Sequence, residues 1–177
     1  MSQKILLTSK EVNIILHRLA CQLIEKHLDF KNTILIGLQP RGRFLAQRIK
    51  QILQTEYNVQ GIQLGFLDIT FFRDDFRRHD KPLEANKTEI DFLVEDKKVV
   101  FIDDVLYTGR SIRAALTGIQ SFGRPSEIEL LVLIDRRFSR HLPIQPDYRG
   151  RQVDAINNET VKVWWQENEG EDKVYLV

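Results

Sequence analysis

The chain of 177 residues contains a single cysteine, Cys21. One thiol cannot form an internal disulfide bond, and it cannot by itself supply a cysteine-based metal site. No apolar run approaches the roughly 20 residues that span a bilayer, so we expect no contact with a membrane. The first residues also lack the apolar core and the small-residue cleavage site of a signal peptide. Together these absences predict a protein of the reducing cytoplasm.

The chain also lacks an excess of charge of one sign. Its 26 Lys and Arg residues balance 25 Asp and Glu residues, which gives a net charge of +1. This balance does not indicate a nucleic-acid binder that is basic throughout, although it is compatible with a local basic patch. No repeat, linker or low-complexity segment divides the chain. The hydrophobic fraction of 42% is typical of a globular protein, and the length predicts one domain over residues 1–177.

Apolar residues at two different spacings predict alternating helices and strands. Residues that recur every three or four positions predict helices at 9–28, with Ser9 as the N-cap, at 45–53 and at 112–119. Continuous apolar runs predict buried strands at 33–38, 63–70, 99–102 and 127–135. This alternation is typical of an α/β protein with a mostly parallel, twisted sheet flanked by helices. Two shorter strands, at 161–165 and 174–177, are predicted as an appendage to the sheet.

Four polar or charged segments directly follow the predicted buried strands. They are residues 39–42, 71–81, 103–111 and 136–141. In open α/β sheets, ligands bind beyond the carboxyl ends of the strands. We therefore expect the four segments to meet and to form one site.

The segment 103–111 has the residue types that would bind a phosphorylated sugar. Two carboxylates, Asp103 and Asp104, precede a turn with the sequence VLYTGRS, and a predicted helix follows. Free amides at a helix N-terminus, hydroxyl side chains and a glycine that permits close approach suit a phosphate group. The carboxylates would repel that phosphate, and they suit hydroxyl groups or Mg²⁺ instead. A phosphate beside vicinal hydroxyls describes ribose 5-phosphate, whereas a helix cap or a surface turn is the simpler alternative.

Residues 99–111, VVFIDDVLYTGRS, resemble the sequence that binds phosphoribosyl pyrophosphate (PRPP) in type I phosphoribosyltransferases. Within that superfamily the chain resembles the PyrR family, which comprises bifunctional pyrimidine operon regulators and uracil phosphoribosyltransferases. Further matching segments are ILIGLQPRG at 34–42, LDITFFRDD at 67–75, GRPSEIELLVLIDR at 123–136 and LPIQPDYRGR at 142–151. The resemblance implies the type I phosphoribosyltransferase fold, with C-terminal antiparallel strands and a small hood formed mainly by residues 136–165.

The resemblance also implies which residues form the site. Asp103 and Asp104 would hold the ribose hydroxyls, directly or through Mg²⁺, while Arg41 and Arg73 would stabilise the departing pyrophosphate. The other residues that would bind PRPP or nucleotide are Pro40, Gly42, Val105, Leu106, Tyr107, Thr108, Gly109, Arg110 and Ser111. Residues 72–76, FRDDF, resemble the start of a flexible loop that would close over PRPP, to which Arg73, Arg77, Arg78 and Lys81 would give positive charge. Arg136 and the backbone near Val161 would contact the base.

The reaction that this resemblance implies converts uracil and PRPP to UMP and pyrophosphate, with Mg²⁺ as cofactor, in a homo-oligomer of two or more chains. A second implied activity is binding of pyrimidine-operon leader RNA under the control of UMP or UTP. The arginines assigned to RNA are Arg18, Arg140, Arg149 and Arg151. His17 stands where the family usually has threonine, and Cys21 where histidine is common. We therefore expect an intact transferase site and altered or absent RNA regulation. Two alternatives are an RNA regulator with little physiological transferase activity and a transferase for a purine base.

Overall fold

Five parallel strands form the central sheet of a computed structural model that describes residues 4–74, 85–155 and 159–177. In chain order, they are β2 (Thr33–Gln39), β3 (Gln63–Asp68), β4 (Lys98–Leu106), β5 (Glu127–Arg137) and β6 (Tyr148–Asp154). Across the sheet the order is β3-β2-β4-β5-β6. Three helices accompany the sheet, namely α1 (Ser9–His27), α2 (Gly42–Thr55) and α3 (Arg110–Ile119). The predicted α/β class is confirmed.

The apolar runs bury both faces of this sheet. Along β2, every residue is buried, and successive side chains point to opposite faces. Leu35 joins the core cluster that includes residues of α1 and α2, whereas Ile34 and Ile36 join the cluster that includes residues of α3. Each fully buried side chain of this kind contributes about 1.5–3 kcal/mol. The two helical layers therefore fix the orientation of the strands, and the carboxyl ends of β2, β3, β4 and β5 lie at one edge.

Three boundaries differ from the prediction in ways that affect the site. The N-cap of α1 is Thr8 and not Ser9, because Thr8 and Glu11 form a reciprocal capping box. Strand β3 ends at Asp68, and a short 3-10 helix, Thr70–Phe72, follows it. Strand β4 continues to Leu106, because its ladder to β5 extends that far. Asp103 and Asp104 therefore lie within a strand and not in the loop after it.

A second, three-stranded sheet lies within the described part of the chain. It consists of β1 (Lys4–Leu7), β7 (Val161–Trp164) and β8 (Lys173–Leu176), in the order β1-β8-β7 with antiparallel pairing. The short helix α4 (Gln166–Glu169) connects β7 to β8. The prediction of short antiparallel strands near the C-terminus is confirmed, whereas β1 and β6 were not predicted. Strand β6 lies in the range assigned to the hood, but it extends the parallel sheet. Among the described residues, no helix is long and apolar enough to cross a membrane.

Candidate active site

The carboxyl edge of the parallel sheet surrounds a cavity of about 490 Å³. Residues from three of the four predicted segments line it, so the expected convergence is observed. The lining residues are Gln39, Pro40, Arg41, Ile69, Thr70, Arg73, Asn86, Asp103, Asp104, Val105 and Ser111. The fourth segment, which follows β5, does not line this cavity.

Asp103 and Asp104 form a carboxylate pair in the wall of this cavity. Burial raises the pKa of Asp103 well above its usual range, and the neighbouring charge of Asp104 raises it further. Burial also raises the pKa of Asp104, although the Arg41 guanidinium opposes that shift. Asp103 Oδ1 accepts a hydrogen bond from the Asp104 amide at 2.9 Å. The pair is therefore a costly arrangement of charge that a cation or a set of hydroxyl donors would relieve.

The turn from Tyr107 to Ser111 lines a smaller cavity of about 140 Å³. Gly109 has a φ of 92°, which L-residues with a side chain rarely adopt, and it is the N-cap of α3. Arg110 and Ser111 are therefore the first residues of α3, where backbone amides have no acceptor within the helix. The Thr108 hydroxyl accepts from the Arg110 amide at 3.4 Å. The turn thus offers amides and hydroxyls to an anion, as expected for a phosphate site.

Arg73 connects the larger cavity to this turn. Its Nη1 donates to Ser111 Oγ at 3.4 Å, and Arg73 lines both cavities. The next residue, Asp74, forms ion pairs with Arg110 and, at 3.2 Å, with Arg113. The rest of the predicted flexible loop includes Arg77, Arg78 and Lys81, which lie outside the described residues.

Arg41 stands at the N-terminus of α2, next to Asp104. Its Nε donates to Asp104 Oδ2 at 3.2 Å, and Nη1 donates to Glu169 Oε1 at 3.2 Å. Gly42 allows this proximity: a Cβ added there would lie 2.3 Å from Ile102 O and 3.0 Å from Asp103 Cα. Only a glycine fits where the start of α2 meets β4. The peptide bond between Gln39 and Pro40 is cis.

A further cavity of about 340 Å³ lies between the carboxyl edge and the small sheet. Arg41, Asp104 and Val105 line it together with Val161, Lys162, Val163, Trp164 and Glu169. It shares Arg41, Asp104 and Val105 with the larger cavity, so the two cavities adjoin. Val161, near which a base contact was predicted, lines this adjoining cavity. The base contact itself stays a prediction.

Arg136, the other residue predicted to contact the base, lies outside the cavity that Val161 lines. It is buried near the end of β5, its guanidinium lies 3.9 Å from the centre of the Tyr107 ring, and Nη2 donates to Glu159 O at 2.9 Å. Its guanidinium packs on the Tyr107 ring at the start of the turn that precedes α3.

The four arginines assigned to RNA have partners within the chain. Arg18 donates to the carbonyl oxygens of Arg149 and Gly150. Arg140 and Arg149 both pair with Asp135, and Arg151 donates to Leu6 O at 2.6 Å. Arg18, Arg149 and Arg151 connect β6 to α1, β5 and β1, whereas Arg140 connects Asp135 to the Tyr107 carbonyl oxygen. RNA contact by these arginines stays a prediction.

Sequence reasoning missed several residues that line the two larger cavities. Thr70 and Asn86 line the larger cavity, and Lys162 and Glu169 line the adjoining one. Thr70 is the last residue of the predicted strand 63–70, so its position at the carboxyl end of a strand could have identified it. No local sequence pattern indicates Asn86 or Glu169. Asn86 lies near the bridge between Glu89 and Phe66, and Glu169 lies in α4, next to β8, which pairs with β1 at the other end of the chain.

The carboxylate pair fits a magnesium ion that is shared with a substrate. Within the described ranges, no group of three or more His, Cys, Asp or Glu side chains could hold a metal ion by itself. Mg²⁺ commonly uses only one or two carboxylates and completes its shell with water and substrate phosphates. Asp103 and Asp104 provide such a partial shell.

Comparisons with known proteins agree with this geometry. Residues 2–168 match the family described as the phosphoribosyl transferase domain. The bifunctional protein PyrR of Desulfosudis oleivorans is 41% identical over 170 residues, which cover 96% of this chain and 93% of that protein. The PyrR of Nostoc punctiforme is 40% identical over 179 residues, with coverage of 100% and 99%.

Solved structures show the same fold. A hypoxanthine phosphoribosyltransferase of Trypanosoma cruzi superposes with a TM-score of 0.72 at 18% identity, covering 98% of this chain and 91% of that one. A purine phosphoribosyltransferase of Pyrococcus horikoshii has a TM-score of 0.61 at 25% identity, with coverage of 83% and 85%.

Proposed function

The chain belongs to the phosphoribosyl transferase domain family and, within it, to the PyrR family, and from this premise we propose that it converts uracil and PRPP to UMP and pyrophosphate. The observation that carries this proposal is the meeting of three groups at one sheet edge. A largely buried carboxylate pair and two arginines line the larger cavity, and the turn that opens α3 lines a smaller cavity that shares Arg73, Asp103 and Ser111 with it.

Each group suits one part of PRPP. The amides and hydroxyls of residues 107–111 suit the 5-phosphate. Asp103 and Asp104 accept hydrogen bonds from the ribose hydroxyls, directly or through Mg²⁺, and ligands at these carboxylates offset the cost of their burial. Arg41 and Arg73 line the same cavity, and their planar forks suit the pyrophosphate group.

The adjoining cavity suits the pyrimidine base. Its backbone groups along β7 suit the carbonyl and N–H groups of uracil, and Val105 lies between the two cavities. As the bond from ribose C1 to pyrophosphate breaks, C1 becomes oxocarbenium-like, and uracil N1 forms the new bond and loses its proton. Stabilisation of the leaving-group charge and orientation of the base over C1 supply the rate enhancement. When bound, Mg²⁺ neutralises phosphate charge on PRPP.

A screen of bases with PRPP and Mg²⁺ tests the proposal. We expect uracil to give UMP and stoichiometric pyrophosphate, and we expect the rate to fall when Mg²⁺ is removed by a chelator. Hypoxanthine and guanine should give no nucleotide. Turnover of a purine without turnover of uracil would refute the base assignment, and failure of every base would refute the transferase proposal.

A further inference from the structure

Arg41 lines the larger cavity, but acceptors of this chain occupy its guanidinium. All three nitrogens of its guanidinium face acceptors of this chain: Nε faces Asp104, Nη1 faces Glu169, and Nη2 donates to Val163 O. An arginine that stabilises a pyrophosphate must present part of this fork to phosphate oxygens. The fork is instead held against β7 and α4, where it forms part of the wall of the base cavity.

Glu169 is held rigidly in the position that binds Arg41. Its Oε2 accepts a hydrogen bond from the Trp165 amide at 2.8 Å, while Oε1 faces Arg41 at 3.2 Å. Trp165 is completely buried, and the Arg48 guanidinium lies 4.9 Å from the centre of its ring. Arg48 in turn forms ion pairs at 2.7 Å with Glu167 and with Asp172. A side chain ordered in this way loses little entropy when it pairs, so its contact with Arg41 is preorganised.

The Arg41 position affects both cavities. Val163 and Arg41 both line the base cavity, and the hydrogen bond from Arg41 occupies the carbonyl oxygen of Val163. Because Glu169 and a pyrophosphate group are both anions that fit an arginine fork, they compete for Arg41.

We propose that Glu169 is a positioning residue that holds Arg41 against β7 until the pyrophosphoryl group of the substrate displaces it. This inference rests on the proposed function. When Arg41 turns to the pyrophosphate, it releases Val163 O, and the base cavity gains an acceptor. Glu169 thereby links occupation of the PRPP cavity to completion of the base cavity.

Calorimetric titration of the full chain with magnesium pyrophosphate tests this role. Glu169→Gln removes the competing charge, and Glu169→Asp retains the charge but is too short to keep both contacts. Both variants should bind pyrophosphate about two- to fivefold more tightly than the unmodified protein, which is the range expected for loss of a partly exposed ion pair. Their KM for PRPP should fall by a similar factor. A gain in affinity is a result that structural damage would not produce.

Glu171→Gln is the matched control. Glu171 lies on the same connection, its side chain is half exposed, and it pairs only loosely with Lys173 at 3.5 Å. Its affinity for pyrophosphate should equal that of the unmodified protein. Unchanged or weaker binding in both Glu169 variants would overturn the proposal. Tighter pyrophosphate binding by Glu169→Gln but not by Glu169→Asp would also overturn it, and so would equally tight binding by Glu171→Gln. Either result would indicate a general effect of removing negative charge.

The unmodified protein separates this inference from the proposed function. If it binds neither pyrophosphate nor PRPP, the proposed function fails, and the role of Glu169 fails with it. If it binds both and the Glu169 variants do not differ from it, only the role of Glu169 fails.

Discussion

Asp103 has a stability cost that follows first from its burial and then from its position beside Asp104. Because the folded state raises its pKa well above that of an unfolded aspartate, about 3.9, the folded chain holds a proton that the unfolded chain has lost. Between these two pKa values, the free energy of unfolding decreases as the pH rises. This part of the site therefore opposes folding at neutral pH.

Replacing Asp103 by asparagine should make the protein more stable and less active. Asparagine keeps the shape but removes the charge, and each unit of pKa elevation corresponds to about 1.4 kcal/mol. We expect a gain of about 1 kcal/mol or more in the free energy of unfolding at pH 7.5, and this gain should vanish near pH 4. Denaturant titration at several pH values measures it.

The same variant should lose about 10- to 100-fold in kcat/KM for PRPP, because hydrogen bonds to a charged acceptor contribute about 1.5–3 kcal/mol. Asp154→Asn is the control, since Asp154 is exposed and pairs with Arg137 at 3.2 Å, away from the cavity. It should change neither quantity. A destabilised Asp103→Asn variant with full activity would contradict the account.

Sequence reasoning at the scale of single residues singled out the carboxylates and the turn from Tyr107 to Ser111 but not their partners. Residues 103–111 are contiguous, so their chemistry is visible in one segment. The contact of Arg41 with Glu169 joins residues 128 positions apart, and such a pair has no local pattern. For the same reason, the sequence did not indicate that Arg136 packs on Tyr107 and not in the base cavity.

At the scale of elements, the close approach of α2 to β4 holds Arg41 beside Asp104. The absence of a side chain at Gly42 permits this approach, because the carbonyl oxygen of Ile102 occupies the place of a Cβ. Gly42→Ala should therefore push the start of α2 away from β4. We expect a loss of about 1–3 kcal/mol in the free energy of unfolding, as for other overpacked sites, and a higher KM for PRPP.

Gly118→Ala provides the comparison. Gly118 lies within α3, where an added Cβ would meet side-chain atoms and no backbone, namely ring atoms of Phe72 at 3.2 Å and Leu67 Cδ1 at 3.5 Å. Alanine is favoured over glycine in helix interiors by about 1 kcal/mol, so this variant should keep most or all of the stability. Equal melting temperatures for the two variants would show that the contact between α2 and β4 is less tight than the structure indicates.

The predicted elements were accurate where a strong hydrophobic pattern existed. The buried strands β2, β4 and β5 have continuous apolar runs, and α1 to α3 have helical periodicity. Strand β6, with the sequence YRGRQVD, is an edge strand with a mostly exposed pattern, so it had no such run. The end of β4 was placed too early because its ladder to β5 continues through two charged residues.

At the scale of the whole molecule, topology converts separate segments into one site. Parallel strands place their carboxyl ends at one edge, and this rule sufficed to predict that residues near 40, 70 and 103–111 meet. The small sheet was harder to predict, because β1 pairs with β8 across nearly the full length of the chain, as in the pairing of Lys4 with Leu176. The cavity lined by Val161 and Val163 depends on that sheet, so sequence reasoning placed its residues less well than those of the larger cavity.

The central claim is that the turn from Tyr107 to Ser111 and the carboxylates before it hold a phosphorylated ribose. A crystal structure of the protein with UMP tests this claim most directly. We predict the 5′-phosphate within hydrogen-bond distance of the backbone amides of residues 109–111, and the ribose hydroxyls beside Asp103 and Asp104. A structure in which UMP binds elsewhere while this turn contacts only solvent would contradict the account.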